Sequence, residues 1–162
     1  MSERTLHAEA PAGEFHLVKL GPQWVEQIAS LESALFGGEA WNKQTLVAEL
    51  SRPEREYVGA LAGQDSSVLL GYGGARYAGD QADVMTVATI PEARRRGIAS
   101  AIVAWIDEAS RRRSASSIFL EVRSKNLAAQ RIYKRAGYEA LGRIKRYYRL
   151  PPDDAVRMGK KL

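Results

Sequence analysis

Across residues 84–109 the hydrophobic pattern changes its period, and this change constrains the fold more tightly than any other stretch. Val84-Met85-Thr86-Val87-Ala88-Thr89-Ile90 closes a strand that begins near Ala82 and that Pro91 ends. After the turn Arg94-Arg95-Arg96-Gly97, the positions Ile98, Ala101, Ile102, Trp105, Ile106 and Ala109 fall on one apolar helical stripe. A strand must therefore pass through a tight turn into the N-terminus of a helix. The first helical turn leaves backbone N–H groups without intrahelical partners, and these point outward as donors for phosphate oxygens. Small residues at Gly97 and Ala99 let a ligand approach the backbone, and the three arginines add planar cationic forks. The spacing is neither the six-position dinucleotide fingerprint nor a P-loop ending in Gly-Lys-Ser/Thr. On these residues alone two readings stay open: a phosphate cradle, or a crowded turn whose arginines are only solvated.

The other segments imply what surrounds this turn. Residues 1–13 carry Pro11, Gly13 and little periodicity, so they are expected to form a flexible leader ahead of one domain at 14–162. Glu14–Leu20 alternates like an edge strand, and Trp24, Ile28, Leu31 and Leu35 recur at helical spacing until Gly37-Gly38. Asn42 can cap a second helix reaching Leu50, which Arg52-Pro53 breaks. Tyr57–Ala62, Val68–Ala78 and Ala82–Ile90 read as an antiparallel meander. Beyond the long helix, Ile118–Val122 is a short buried strand, Asn126–Ala136 a helix closed by Gly137, and Tyr138–Leu150 and Asp154–Lys160 two further strands. This order implies an α/β chain: a mixed, mostly antiparallel sheet of about seven strands with four flanking helices.

Composition narrows the chemistry. With no cysteine, disulfides, thiolate metal ligands and a cysteine nucleophile are excluded, and a cytoplasmic home is favoured. No apolar run of about 18 residues exists to span a membrane. The net charge of +5 rests mainly on arginine, which suits phosphate recognition, but 19 acidic residues are interspersed and no basic tail appears.

Leu120-Glu121-Val122-Arg123-Ser124-Lys125-Asn126-Leu127-Ala128-Ala129-Gln130-Arg131-Ile132-Tyr133-Lys134-Arg135-Ala136-Gly137-Tyr138 is the most specific stretch of the chain. With Arg94-Arg95-Arg96-Gly97-Ile98-Ala99, it resembles the GNAT superfamily of N-acetyltransferases, in particular the RimI type. The resemblance implies the GNAT fold, acetyl-CoA as cosubstrate and no metal. It implies backbone groups of Val87, Ala88 and Thr89 beside the pantetheine arm, and Arg95, Arg96, Gly97, Ile98, Ala99 and Ser100 around the pyrophosphate. Asn126 would contact the coenzyme, Glu121 would be the base and Tyr133 the acid. Tyr147 and Tyr148 would hold the acceptor backbone. Leu31-Glu32-Ser33-Ala34-Leu35-Phe36, ahead of Trp41, extends the similarity and adds Phe36 and Trp41 to the acceptor side. Thr89 departs from the branched apolar residue common at its position. The implied acceptor is a protein N-terminus, the alanine of a small-subunit ribosomal protein, with no membrane and no direct nucleic-acid contact required.

Acyl transfer to an amine needs a neutral nucleophile and a proton for the departing thiolate. Both histidines lie near the N-terminus, which leaves Glu121 and Tyr133 as proton carriers within the block. Deprotonating a lysine costs roughly 3–4 kcal/mol more near neutrality than deprotonating an α-amine, so the α-amine is the easier acceptor. Each residue also has a plainer role open to it: Glu121 pairing with Arg123 or Lys125, Tyr133 packing, Asn126 only capping a helix. Lysine or polyamine acetylation, or a non-catalytic basic module that binds RNA or ribosomes, are the alternatives. For a basic enzyme to meet a basic ribosomal tail, the acceptor groove is expected to be locally acidic through Glu32, Glu39, Asp153 or Asp154.

Overall fold

The computed structural model describes residues 14–63 and 67–162, so the leader expected at 1–13 lies outside the described residues. The elements follow the expected order: β1 (Phe15–Leu20), α1 (Val25–Phe36), α2 (Lys43–Ser51), β2 (Arg55–Ala62), β3 (Leu69–Ala78), β4 (Gln81–Thr89), α3 (Ile98–Arg112), β5 (Ser117–Arg123), α4 (Leu127–Arg135), β6 (Glu139–Arg149) and β7 (Pro152–Lys161). Asn42 starts α2 as a cap, its Oδ1 accepting the Thr45 N–H at 2.8 Å.

The strands form one sheet in the order β1-β2-β3-β4-β5-β7-β6. Every neighbouring pair is antiparallel except β4 and β5, whose parallel pairing stops after Gln81–Ser117, Ala82–Ile118 and Asp83–Phe119. On its other edge β4 carries a bulge. Gly74 pairs with Thr86 and Ala75 with Val84, so Met85 is the extra residue. A bulge bends its strand and increases the twist, and this one sits just where β4 leaves β5. The two strands therefore open a wedge in the middle of the sheet.

Two apolar clusters cover the two faces. Ile98, Ile102 and Ile106 of α3 and Tyr133 of α4 pack with Val58, Ile118, Leu120 and Met158. Ile28 and Leu31 of α1 and Leu46 of α2 pack with Leu20, Tyr57 and Tyr72 on the opposite side. A Cβ at Gly73 would stand 2.5 Å from Ile102 Cγ2, so glycine there lets α3 lie directly on β3. Buried Asp107 of α3 accepts from Tyr138 Oη and Lys160 Nζ, each at 2.6 Å, and Lys160 Nζ also donates to Ala136 O at 2.6 Å. This paired network ties the end of α4 to α3 and β7, which settles where Tyr133 stands. On the other face α1 packs against β3 and α2 against β2. Phe119, Glu121, Arg123 and Arg157 are left half-exposed beside the wedge. No helix among the described residues is long and apolar enough to cross a membrane.

Candidate active site

The side of the wedge expected to take the coenzyme is made almost entirely of backbone. Val87, Ala88 and Thr89 pair with Gly73, Tyr72 and Gly71 of β3, while their other edge faces the gap left by β5. Alternate N–H and C=O groups along that edge lack a strand partner. The hydroxyl oxygen of Thr89 is buried with no hydrogen-bond partner among the described residues. A buried polar atom of this kind calls for a ligand or a water.

The chain then turns through Pro91–Ala93 into α3 with Arg95 at φ 65° and Gly97 at φ 81°. Nothing would lie within 4 Å of a Cβ at Gly97, so its left-handed backbone, not crowding, demands glycine there. The space in front stays open. No side chain caps α3, which leaves the N–H groups of Ile98, Ala99 and Ser100 free to donate. Arg94 Nε donates to Thr89 O at 3.4 Å and Arg96 Nη2 to Glu92 O at 3.2 Å. Two of the three arginines thus brace their own turn. Arg95 is exposed and makes no ion pair among the described residues. An open backbone edge, an orphaned hydroxyl and an uncapped helix start fit the pantetheine arm and pyrophosphate implied by the sequence resemblance. A groove of about 450 Å³ between α3 and α4 begins at Ser100 and includes neither Glu121 nor Tyr133.

Side chains make the other wall. Glu121 lies on the strand face opposite Leu120 and Val122, and its Oε1 accepts from Arg157 Nη1 of the adjacent β7. Neither Arg123 nor Lys125 is its partner. The Arg157 guanidinium stacks 4.8 Å over the Phe119 ring, so the carboxylate is held by a fork that is itself held. Tyr133 is buried, with Tyr138 edge-on at 5.7 Å. Burial first, and the nearby Tyr148 phenol second, push its pKa well above the ordinary phenol value. The Tyr148 pKa is pushed up to about 12, mainly by burial and then by Tyr147, while Arg123 opposes and Glu121 and Asp153 add. Tyr148 is thus near enough to Glu121 and to Tyr133 for each to influence the other's charge.

The residues expected on the acceptor side gather around Arg123. Its guanidinium lies 4.2 Å over the Tyr148 ring, donates to Pro151 O at 2.7 Å and Leu150 O at 3.0 Å, and pairs with Glu39 at 3.9 Å. Glu39 belongs to the segment between α1 and α2 that follows Phe36 and carries Trp41, so this pair ties that segment to the Arg123–Tyr148 stack. Phe36 is 43% exposed. Trp41 is half-buried, and its N–H donates to Glu32 Oε2 at 3.2 Å. Tyr147 stays 49% exposed beside Tyr148, with ring centroids 5.0 Å apart. Asn126 caps α4, its Oδ1 accepting the Ala129 N–H at 3.1 Å.

The four carboxylates expected to make the groove acidic each have a partner. Glu32 is buried against Tyr72 Oη and the Trp41 N–H. Glu39 is paired with Arg123, Asp153 accepts from Ser124 Oγ and the Lys125 N–H, and Asp154 accepts from Arg143 and the Arg146 N–H. The carboxylates serve the structure. Arg123 and Arg157 were missed in the sequence. Alternation along β5 puts Arg123 on the face of Glu121, a signal that was legible, whereas Arg157 reaches Glu121 only through the pairing of β5 with β7. Among the described residues no group of three or more His, Asp or Glu side chains is arranged to hold a metal.

Comparison with known proteins adds an independent line. Residues 25–138 match the family model described as Acetyltransferase (GNAT) family. The N-alpha-acetyltransferase RimI of Mycobacterium tuberculosis is 32% identical over 138 residues, covering 82% of this chain and 84% of that protein. The crystal structure of the ribosomal-protein-S18-alanine N-acetyltransferase from Escherichia coli superposes with a TM-score of 0.79 at 18% identity, covering 91% and 93% of the two chains. That of Arabidopsis thaliana NAA60 in complex with acetyl-CoA gives 0.80 at 16% identity, covering 91% and 98%.

Proposed function

This chain belongs to the GNAT acetyltransferase family, an N-acetyltransferase fold that uses acetyl-CoA, and from that premise we propose that it acetylates the α-amino group of protein N-termini. The acceptor we assign is the N-terminal alanine of a small-subunit ribosomal protein, with acetyl-CoA as donor, residues 14–162 as the catalytic domain and the cytoplasm as the place of action. The names of the Mycobacterium tuberculosis relative and the Escherichia coli neighbour support the acceptor class. The observation that carries the reading is Glu121, held by Arg157 on the half-exposed face of β5, beside the edge of Val87, Ala88 and Thr89 that β5 leaves unpaired.

Bound acetyl-CoA supplies a thioester carbonyl to the amine. The backbone of Val87, Ala88 and Thr89 binds the pantetheine arm, and the N–H groups of Ile98, Ala99 and Ser100, with Arg95 and Arg96 beside Gly97, bind the pyrophosphate. Asn126 uses its Oδ1 as a cap and has its amide nitrogen left for the coenzyme. Glu121 takes the ammonium proton on its carboxylate oxygen, directly or through one water, while Arg157 fixes where that oxygen points. Tyr133 stays protonated through the neutral range. Even an ordinary phenol near 10 gives its proton to a thiolate near 8.5 at a cost of about 2 kcal/mol, and burial makes this costlier. Tyr133 therefore works as a hydrogen-bond donor to the charge that develops on sulfur. Tyr147 and Tyr148 hold the acceptor backbone, with Phe36 and Trp41 beside its first side chain.

The test is an Ala-initiated peptide with one internal lysine, incubated with acetyl-CoA and sequenced by tandem mass spectrometry. Acetyl on the α-amine is expected. Acetyl confined to the lysine side chain would replace this acceptor with the amine of a side chain or polyamine.

A further inference from the structure

Among the described residues two carboxyl side chains are buried, Glu32 and Asp107, each 4% exposed. They are held differently. Asp107 faces a cation, Lys160 Nζ at 2.6 Å. Glu32 has no cation partner among the described residues, and its oxygens accept from neutral donors, Oε1 from the Tyr72 phenol and Oε2 from the Trp41 backbone N–H at 3.2 Å. It lies on the buried stripe of α1 beside Ile28 and Leu31, against a cluster of apolar and aromatic side chains. Helical periodicity calls for an apolar residue there, and a carboxyl without a cation is a costly substitute in such surroundings. Stability alone does not account for it.

The two partners of Glu32 belong to different parts of the proposed site. After α1 the chain reverses at Gly37, with φ 54°, the Ala40 N–H donates to Gly37 O at 3.1 Å, and the Trp41 N–H returns to Glu32. Tyr72 stands on β3, fully buried, and its backbone pairs with Ala88 of β4. Burial first and the Glu32 hydrogen bond second push the phenol's pKa well above its ordinary value, so it stays protonated and donates. Glu32 therefore ties the segment that bears Trp41 to β3, the strand on which the Val87–Thr89 edge is laid. The other tie of that segment, Glu39 to Arg123, spans 3.9 Å at a half-exposed position, which leaves the Glu32 bonds as the firmer of the two.

We propose that Glu32 is a positioning residue for the acceptor: its carboxyl fixes the Trp41 backbone over β3, and the indole thereby limits the size of the acceptor's first side chain. This rests on the reading that Trp41 borders that side chain. Buried as it is, Glu32 acts through Trp41 and not on the substrate itself. It works by its two hydrogen bonds and not by charge, because both donors are neutral. A Trp41 released from this tie admits larger first residues and holds small ones less well. A carboxyl that served stability alone would alter Tm on replacement and leave the choice of acceptor untouched.

The experiment compares the full chain with Glu32→Met, which fills a similar volume and removes both acceptor oxygens, and with Glu32→Gln, whose oxygen can take the Trp41 N–H while its amide nitrogen donates to the Tyr72 oxygen. Glu32→Met is expected to raise the KM of an Ala-initiated peptide about five- to tenfold, with kcat within about twofold and the Kd of acetyl-CoA in calorimetric titration unchanged. The preference for an Ala- over a Leu-initiated peptide, as a ratio of kcat/KM values, should fall by about the same factor. Glu32→Gln should return KM and preference to within about twofold of the native chain. Hydrogen–deuterium exchange of residues 37–42, which needs no acceptor, should be faster in Glu32→Met than in the native chain or Glu32→Gln. Should Glu32→Met fold poorly, Tyr72→Phe removes one of the two bonds and should shift KM and preference the same way by about two- to threefold. The proposal is overturned by equal losses in Glu32→Met and Glu32→Gln, by a fall in Tm with KM and preference unmoved, or by exchange at 37–42 that does not change. A chain that acetylates only lysine side chains defeats the acceptor assignment, while the exchange comparison and the KM of the lysine peptide still decide for or against Glu32.

Discussion

The turn proposed for the coenzyme and the pocket proposed for proton transfer share one wedge but are built in opposite ways. The turn at residues 86–100 is contiguous and offers mainly backbone: a strand edge, a left-handed Gly97 and three free N–H groups. The pocket draws side chains from β5, α4, β6, β7 and the segment after α1, and each depends on another to stand correctly. A site of the first kind is sensitive to φ and ψ and tolerant of side chains. One of the second kind is sensitive to register.

Five measurements break or sharpen this contrast. Glu121→Gln should lower kcat/KM for an N-terminal peptide by about 10²–10⁴-fold with acetyl-CoA affinity unchanged, and a loss below about threefold in initial rates would remove Glu121 from the proton path. The phenols of Tyr72, Tyr133 and Tyr138 have folded pKa values raised by burial, so the unfolded chain releases their protons first as pH climbs past about 10. Stability is then present below that pH and lost above it, at up to about 1.4 kcal/mol per pH unit for each phenol, and thermal melts should be flat from neutrality to about pH 9.5 before they fall. Gly97→Val should cost about 1–3 kcal/mol in stability and raise the KM for acetyl-CoA about tenfold, with the peptide KM nearly constant. Equal rises in both would show that the turn is not separate from the pocket. Arg123→Gln should reverse the pattern, raising the peptide KM about five- to tenfold, roughly 1 kcal/mol, and sparing acetyl-CoA. Asn126→Ala should cost about 1 kcal/mol, a fall in Tm of about 2–4 °C in calorimetry. A loss of acetyl-CoA affinity well beyond that would separate a coenzyme contact from a cap.

The same contrast explains what could be read without coordinates. Every strand and helix was legible, because each carries its own period and punctuation: Asn42 before α2, Pro91 after β4, Gly97 before α3. The turn proposed for the coenzyme was legible as a turn because it is local. In the proposed pocket, Glu121 and Tyr133 were singled out by motif, and Arg123 lay within reach of the period-2 rule. The orientation of Tyr147 and Tyr148 was not, because β6 is irregular there. Ile144 pairs with Ala155 and Tyr148 with Asp153, so extra residues between them break the alternation that would put neighbouring tyrosines on opposite faces. The two rings lie side by side instead.

The order of elements, the helix start at Gly97 and the presence of a carboxylate and a phenol on either side of Asn126 came from the sequence alone, since they depend on residues within a few positions of one another. Only the tertiary structure decided that Arg157 holds Glu121, that Arg123 stacks on the Tyr148 ring, and that Glu32, Glu39, Asp153 and Asp154 each take a partner from another segment. Those outcomes depend on which strands pair and at what register, and distant segments acquire that relation only when the sheet assembles.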